Sequence, residues 1–379
     1  MKILHLSDLH IGKRLYEYSM LEQQKYILDD IIKITESENI DCVVIAGDVY
    51  DKSVPSTDAV QLFDRFICSL NEKKIPVLII SGNHDSPERL SFGSGIMASA
   101  GVHIAPVYSG KVKSVVLSDE HGEINFYMLP FVKPAQVRRY FPDREIMTYT
   151  DAVKAILDSI EIDTEKRNVL VTHQFVTGSC LSQSEEFAVG GTENIDGSLF
   201  EAFDYVALGH IHRPQTMYGG KIRYCGSQLK YHADEVSQEK TYTITEIKEK
   251  GTLEIRELPV CPEKKVVAYK GKYDEISDSA FYKNINTDDY IFITLTDEED
   301  IVDAMRKLKK IYPNLLRIFY DNSRTRSVSA VRSEAISSKL LPKDIFSAFY
   351  ETQCSHEMTE EQQEFMKNMI KSVWEGELS

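Results

Sequence analysis

Cys42-Val43-Val44-Ile45-Ala46-Gly47-Asp48 is a short apolar run that stops abruptly at a glycine and a carboxylate. Its length and β-branched content predict a strand buried on both faces, because a half-exposed strand would alternate apolar with polar residues. A glycine at the strand end lets the backbone turn sharply and brings the Asp48 side chain close to whatever lies beyond. The same grammar recurs through the first half of the chain. Ile3 to Leu6 precedes Asp8, Val77 to Ile80 precedes Asn83, Val169 to Val171 precedes His173, and Tyr205 to Leu208 precedes His210. Between the first three runs lie helical patterns, Ile27, Leu28, Ile31 and Ile32, then Ala59, Leu62, Phe63, Phe66, Ile67 and Leu70. This alternation predicts an α/β layered domain whose ligand groups gather at the carboxyl ends of strands.

Each polar terminus has a bland reading of its own. Asp8-Leu9-His10 is a common tripeptide that more often marks a polar strand end facing solvent, although a period of two would put both side chains on one face. Gly82-Asn83-His84-Asp85 packs an amide oxygen, an imidazole and a carboxylate together, yet a simple Gly-Asn turn would look the same. A lone His173 is more often a satisfied core or surface residue, and Gly209-His210-Ile211-His212 repeats the spacing of two. Taken together, in order and at five strand ends, they point to one shared metal centre. Carboxylates, imidazoles and an amide oxygen without thiolate suit borderline-hard divalent ions such as Mn²⁺ and are unlike a structural zinc site. A carboxylate shared between two ions about 4 Å apart is the chemistry of phosphoester hydrolysis. No Ser-His-Asp triad, Walker loop or Gly-x-Gly-x-x-Gly motif competes with it.

The chain has 379 residues, 42% of them hydrophobic, which predicts one large domain plus a smaller one. A formal charge of −15 excludes the basic footprint of a stand-alone duplex binder, so any nucleic acid must be held by local patches, metals or a partner. The scattered cysteines, with no Cys-x-x-Cys pair, read as buried reduced thiols. No charged-then-apolar leader opens the chain and no apolar run approaches the ~20 residues that span a bilayer, so no membrane is expected and a cytoplasmic location is the default.

Near Val266 the strand-plus-ligand pattern stops. Strands at Val266 to Tyr269, Tyr290 to Thr296 and Leu315 to Tyr320, with a helix presenting Ile301, Val302, Met305, Leu308 and Ile311, predict a small α+β unit, its boundary near Pro262. The expected domains are 1–262, 263–340 and an acidic helical tail, 341–379. In the tail Thr359-Glu360-Glu361-Gln362 reads as a capping box. Phe365, Met366, Met369, Ile370, Val373 and Trp374 follow as one stripe, with Ile345, Phe346, Phe349 and Tyr350 upstream. The pattern alone leaves open whether these helices pack on their own domain or in a partner's groove.

At the metal-centre residues the chain resembles the calcineurin-type metallophosphoesterase superfamily, whose pattern Asp-x-His, Gly-Asp, Gly-Asn-His-Asp, His, Gly-His-x-His is matched in full. More narrowly, Asp8 to Leu15, Gly82 to Leu90, Thr172 to Phe175, Gly190 to Glu193 and Ala207 to His212 are similar to the SbcD nuclease family. The likeness is strong over roughly the first 230 residues and holds in outline beyond. Gln228 stands where that family usually has proline, which touches only the local loop. The resemblance implies a two-sheet sandwich flanked by helices, then a small α+β capping domain that contacts DNA and a helical C-terminal tail that binds a partner. It implies two ions, Mn²⁺ foremost. Asp8, His10, Asp48 and His212 would hold one; Asp48, Asn83, His173 and His210 would hold the other, with Asp48 as the bridge. His84 would contact the scissile phosphate and protonate the leaving oxygen, with Asp85 orienting its imidazole.

The activity implied is 3′ to 5′ exonuclease cleavage of double-stranded DNA and endonuclease cleavage of single strands and hairpins, in repair and recombination. The partners implied are an SbcC-like coiled-coil ABC-type ATPase and a second copy of the chain, as a homodimer within a heterotetramer. Lys13, Arg14 and Arg89, then Arg138, Arg139, Arg324 and Arg326, are candidate DNA-phosphate contacts, and a solvated surface is as good a reading of each. Protein phosphatases and cyclic-nucleotide phosphodiesterases share the ligand set and form the rival reading. A scaffold without catalysis would have lost ligands, and none is lost.

Overall fold

The apolar runs are strands, and they stack as two sheets. The computed structural model describes residues 1–180, 194–326, 346, 347, 350, 358–366 and 369. Two compact units, Met1–Lys265 and Val266–Ser379, divide the chain just beyond Pro262. In the first, the strands of the main sheets are β1 (Lys2–Leu6), β2 (Cys42–Ala46), β3 (Val77–Ile80), β4 (Val102–Ala105), β5 (Lys113–Asp119), β6 (Gly122–Leu129), β7 (Arg167–His173), β8 (Tyr205–Gly209), β9 (Gln215–Met217), β10 (Ile222–Tyr224), β11 (Thr241–Ile247) and β12 (Leu253–Pro259). One sheet has the order β12-β11-β1-β2-β3-β4 and the other β9-β10-β8-β7-β6-β5. Both have parallel centres, β1 to β4 in the first and β6-β7-β8-β10 in the second. Antiparallel strands close every edge but one, where β4 ends the first sheet in parallel with β3. Parallel neighbours end on the same side of a sheet, so the residues after β1, β2 and β3, and those at the ends of β7 and β8, collect at common rims.

Alternation along each strand decides what is buried where. Ile3, Val44, Ala46, Leu78 and Ile80 from one sheet meet Phe126, Met128, Val169, Val171 and Ala207 from the other in a single core between the layers. The opposite set, Leu4, Leu6, Val43 and Ile45, is also fully buried, as parallel strands covered on both faces require. Helices α1 (Leu21–Ser37) and α2 (Thr57–Glu72) lie side by side, with α2 against β3. The Ser56 hydroxyl accepts from the Ala59 N–H and starts α2, which then buries Leu62, Phe63, Phe66, Ile67 and Leu70, each contributing about 1.5–3 kcal/mol. On the second sheet α3 (Tyr149–Leu157) packs Val153 and Ile156 against Leu170, Val206 and Leu208. This is the two-sheet sandwich flanked by helices that the resemblance implies. Among the described residues no helix is long and apolar enough to cross a membrane.

The cysteines depart from expectation. Cys42 and Cys225 are buried, but Cys68, Cys180 and Cys261 are exposed, all as free thiols. Cys68 lies on the outward face of α2, between the buried pair Phe66 and Ile67 and the buried Leu70.

The second unit holds three parallel strands, β13 (Val266–Gly271), β14 (Tyr290–Leu295) and β15 (Leu315–Tyr320), around Ile276, Ile291, Ile293, Leu308, Tyr312 and Leu315. The helix expected over 301–311 is shorter, Ala304–Leu308, because Asp303 takes a left-handed φ of 57° that α-helix cannot continue through. Val302 is therefore 78% exposed and does not join the core. In the tail, Thr359 and Gln362 exchange side-chain to backbone hydrogen bonds at 2.9 and 3.3 Å, a capping box, and helix follows from Glu360. Phe365 and Met369 are exposed. The remainder of the stripe, Ile370, Val373 and Trp374, with Ile345 and Phe349 upstream, lies outside the described residues, as do Gly190 to Glu193.

Candidate metal centre

Asp8 and His10 do not lie on an extended strand. β1 ends at Leu6, and both residues adopt left-handed backbone, with φ of 52° and 44°. Convergence here comes from a tight loop and not from a period of two. Asp48 and His210 share this trait, with φ of 50° and 97°. For non-glycine residues such backbone costs about 1–3 kcal/mol each and persists only where surroundings enforce it. The enforcement is visible. Asp8 N–H donates to the Gly47 carbonyl at 3.1 Å, His10 N–H to that of Asp48 at 3.0 Å and Ile11 N–H to that of Val49 at 2.9 Å. The Asp8 carboxylate accepts the His210 N–H at 3.0 Å, joining the loop after β1 to the end of β8. Gly47, at φ 90°, and Gly82 complete the closure. A Cβ on Gly47 would overlap the His173 ring, and one on Gly82 would overlap the Asp48 carboxylate.

Into this space point Asp8, His10, Asp48, His173, His210 and His212, between 0 and 5% exposed, with Asn83 partly buried. Ligand atoms of Asp8, His10 and His212 gather within 4.8 Å of one another, as do those of Asp8, Asp48 and His173, and of His10, Asp48 and His84. His10 Nε2 lies 3.1 Å from His212 Nε2 and 3.7 Å from Asp48 Oδ2. His173 donates from Nδ1 to the Ala46 carbonyl at 2.8 Å, which leaves Nε2 as a lone pair 3.0 Å from Asn83 Oδ1 and 3.4 Å from Asp48 Oδ2. His210 Nδ1 is 2.9 Å from the same Asn83 oxygen.

Acceptors aimed at one another repel unless a proton or a cation lies between them. The electrostatics agree. Burial pushes Asp8 above the ordinary carboxylate range. For Asp48 burial acts in the same sense, but His173 and His10 hold it well below that range. Burial would lower His173, yet Asp48 and Asp8 raise it to about 9, while burial beside His173 drops His210 to about 3. A centre that draws protons onto His173 carries more negative charge than it can keep buried, and among the described residues no Lys or Arg is paired with Asp8 or Asp48. His10 Nδ1, buried and 4.0 Å from Asp51 Oδ1, has no hydrogen bond. Oxygen and imidazole donors with surplus charge fit divalent cations.

Residues 1–214 match the calcineurin-like phosphoesterase family, and residues 262–353 match a domain described as the type 5 capsule protein repressor C-terminal domain. The chain is 34% identical over 384 aligned positions to the SbcD subunit of the SbcCD nuclease of Staphylococcus epidermidis, covering all of both chains. The chain belongs to the calcineurin-like phosphoesterase family, in its SbcD branch. Among solved structures it is similar to TT1561 of Thermus thermophilus (13% identity, TM-score 0.38, 68% of this chain and 98% of that one). It is also similar to a dimetal phosphatase from Danio rerio (12% identity, TM-score 0.40, 69% and 98%). As a member of the family the chain is a hydrolase of phosphate esters, and the cluster described above is where divalent metal fits.

The structure corrects one role. Asp85 does not touch the His84 ring: its carboxylate accepts the backbone N–H groups of Gly82 at 2.9 Å, Tyr50 at 2.9 Å and Val49 at 3.2 Å. Burial and the charge of Asp48 lift it to about 6 against those three donors. It ties the loop after β2 to the loop after β3. The His84 ring is met instead by the Asp51 carbonyl, 3.2 Å from Nδ1, and the His84 N–H donates to Asp48 Oδ1 at 2.9 Å.

The basic residues differ in their freedom. Lys13 forms part of the site wall, paired with Asp51 at 2.8 Å and 5.6 Å from the centre of the Tyr231 ring. Arg14 and Arg89 are exposed, Arg14 on the carbonyl of Glu17. Arg138 is committed to the Ile146 carbonyl at 2.8 Å, and Arg139 stacks on Tyr140. In the second unit Arg324 pairs with Asp300 and Arg326 with Asp321.

Sequence reasoning missed the residues behind the candidate ligands. Gln24, buried on α1, donates to the carbonyls of Leu9 at 3.2 Å and His10 at 2.7 Å and accepts the Gly12 N–H at 2.9 Å. Tyr231 donates to the Leu9 carbonyl at 2.7 Å. Ser7 bonds the Asp8 carboxylate and lies 3.0 Å from the Cys225 thiol. Glu235, fully buried, meets His212 Nδ1 at 3.2 Å and Lys240 at 2.7 Å. A glutamine inside an amphipathic helix was the one available signal, since polar side chains on a buried face need partners.

Proposed function

We propose that the chain is a Mn²⁺-dependent DNA nuclease, cutting double-stranded DNA as a 3′ to 5′ exonuclease and single strands and hairpins as an endonuclease. It would work as the nuclease subunit of an SbcCD-like repair and recombination complex. The observation that carries this is the 34% identity to an SbcCD nuclease subunit over the whole of both chains, supported by the gathering of the seven expected ligand residues at one site, six of them buried. Asp8, His10, Asp48 and His212 would hold one ion, and Asp48, Asn83, His173 and His210 the other. Bound divalent ions would supply Lewis-acid polarisation of the phosphodiester and offset its transition-state charge.

His84 does separate work. With Nδ1 turned to the Asp51 carbonyl, its Nε2 is the atom left to carry a proton to the leaving oxygen. Lys13, Arg14 and Arg89 are the nearest candidates for the DNA backbone. At a net charge of −15 they need help, which the ions, the 263–340 capping domain and a coiled-coil ATPase partner of the SbcC type would give. The tail from Thr359 onward is the proposed ATPase-binding segment, with its Met and aromatic side chains suited to a partner groove. Its deletion is expected to leave Mn²⁺-dependent cleavage intact and ATPase binding poor. Two copies of the chain would complete the assembly.

The deciding experiment offers the purified chain hairpin DNA, a phosphopeptide and a cyclic nucleotide in parallel with Mn²⁺. Cleavage of the hairpin is expected to dominate, and preference for either small substrate would overturn the DNA assignment.

A further inference from the structure

Behind His212 lies a buried ion pair that the proposed chemistry does not use. Glu235 is fully buried. One of its carboxylate oxygens is 3.2 Å from His212 Nδ1; the other is 2.7 Å from Lys240 Nζ and accepts the Tyr231 N–H at 3.3 Å. Lys240, also buried, donates to the His212 carbonyl at 2.9 Å, to Ser227 Oγ at 3.0 Å and to Gln238 Oε1 at 3.0 Å. The pair therefore grips His212 twice, at the ring and at the main chain.

Stability alone does not account for it. Taking both charges out of water costs several kcal/mol per ion, and apolar residues of similar volume usually do as well or better. The geometry gives the pair a purpose. An imidazole that donates from Nδ1 presents Nε2 as a lone pair, and His212 Nε2 is the atom that faces His10 Nε2 at 3.1 Å. A carboxylate behind the ring fixes that tautomer and makes the ring a stronger donor than a neutral partner does. His173 provides the contrast, backed by the neutral carbonyl of Ala46.

We infer that Glu235 is a positioning residue for His212, held in place by Lys240, and that it strengthens metal binding in the half of the centre built from Asp8, His10 and His212. This rests on the metal-centre reading proposed above. The test is Mn²⁺ binding by calorimetry to the full chain, wild type against Glu235→Gln, together with ¹⁵N shifts of the His212 ring in the metal-free protein. Of two Mn²⁺ binding steps, one is expected to weaken about 10- to 100-fold with the other unchanged, and the ring is expected to lose its preference for the Nδ1–H form. Should Glu235→Gln fail to fold because Lys240 is left without its counter-charge, Glu235→Gln/Lys240→Met carries the same test with the pair neutralised. Wild-type affinity for both ions in the folded variant, or equal loss at both, overturns the inference while leaving the metal centre standing. A wild-type chain that takes up no Mn²⁺ overturns both.

Discussion

The two halves of the candidate metal centre differ in how their side chains are held. Asp8, His10 and His212 carry side-chain braces on top of the main-chain bonds of their loop: Ser7 on the Asp8 carboxylate, Gln24 on the carbonyls of Leu9 and His10, and Glu235 on the His212 ring. Asp48, Asn83 and His173 are themselves touched chiefly by main chain, with the Asp85 carboxylate tying the two loops beneath them. The Ala46 carbonyl takes the His173 ring, the His84 N–H takes Asp48, and Gly47 and Gly82 pack where a side chain would not fit. A side-chain brace can be loosened one hydrogen bond at a time. A main-chain brace moves only when a loop moves, so damage there should be all or none.

The largest effect is therefore expected from Gly82→Ala. Its Cβ would overlap the Asp48 carboxylate and stand 2.5 Å from the Asp48 nitrogen, so the two loops must part. We expect loss of uptake of both ions and of cleavage, with ~1–3 kcal/mol of destabilisation from overpacking; normal Mn²⁺ stoichiometry in this variant would show that the loops yield. Asp48→Asn should likewise cost more metal than Asp8→Ala, as metal analysis of the two purified variants can establish.

Next in size is His84→Ala, which removes no proposed ligand. It should keep both ions and lose ~10²- to 10⁴-fold in rate, and a metal-free product would mean that His84 is itself a ligand. Asp85→Asn should act differently, on stability before chemistry. It replaces one accepting oxygen, facing backbone N–H groups of Gly82, Tyr50 and Val49, with an amide NH2 that cannot accept, and is expected to cost ~1–3 kcal/mol in urea unfolding. If it instead matched His84→Ala in rate with no change in stability, the orienting role would be restored. The smallest effect is expected from Gln24→Ala, ~0.5–1.5 kcal/mol, with a modest fall in Mn²⁺ affinity confined to one binding step.

These contrasts also mark what could be read from the chain alone. The strands of the sandwich were legible because parallel strands buried on both faces leave continuous apolar runs, as in Cys42 to Ala46. The gathering of Asp8, His10, Asp48, Asn83, His173, His210 and His212 was legible because each sits at or just beyond such a run. The reason given for Asp8 and His10 was incomplete, since left-handed backbone and not strand alternation brings them inward. Glu235 and Lys240 were not legible: they lie in a polar loop sequence, and nothing local says that the loop is buried. Asp85 misled through adjacency, because neighbouring residues in a tight turn project apart. The helix near Met305 misled through periodicity, which cannot foresee the left-handed Asp303 that cuts it short.

Whether two ions share Asp48 is tested most directly by anomalous diffraction from crystals of the full chain soaked in Mn²⁺. Two peaks are expected, both within coordination distance of the Asp48 carboxylate, one toward His10 and His212 and the other toward Asn83 and His173. A single peak, or two peaks of which only one touches Asp48, would contradict the shared centre.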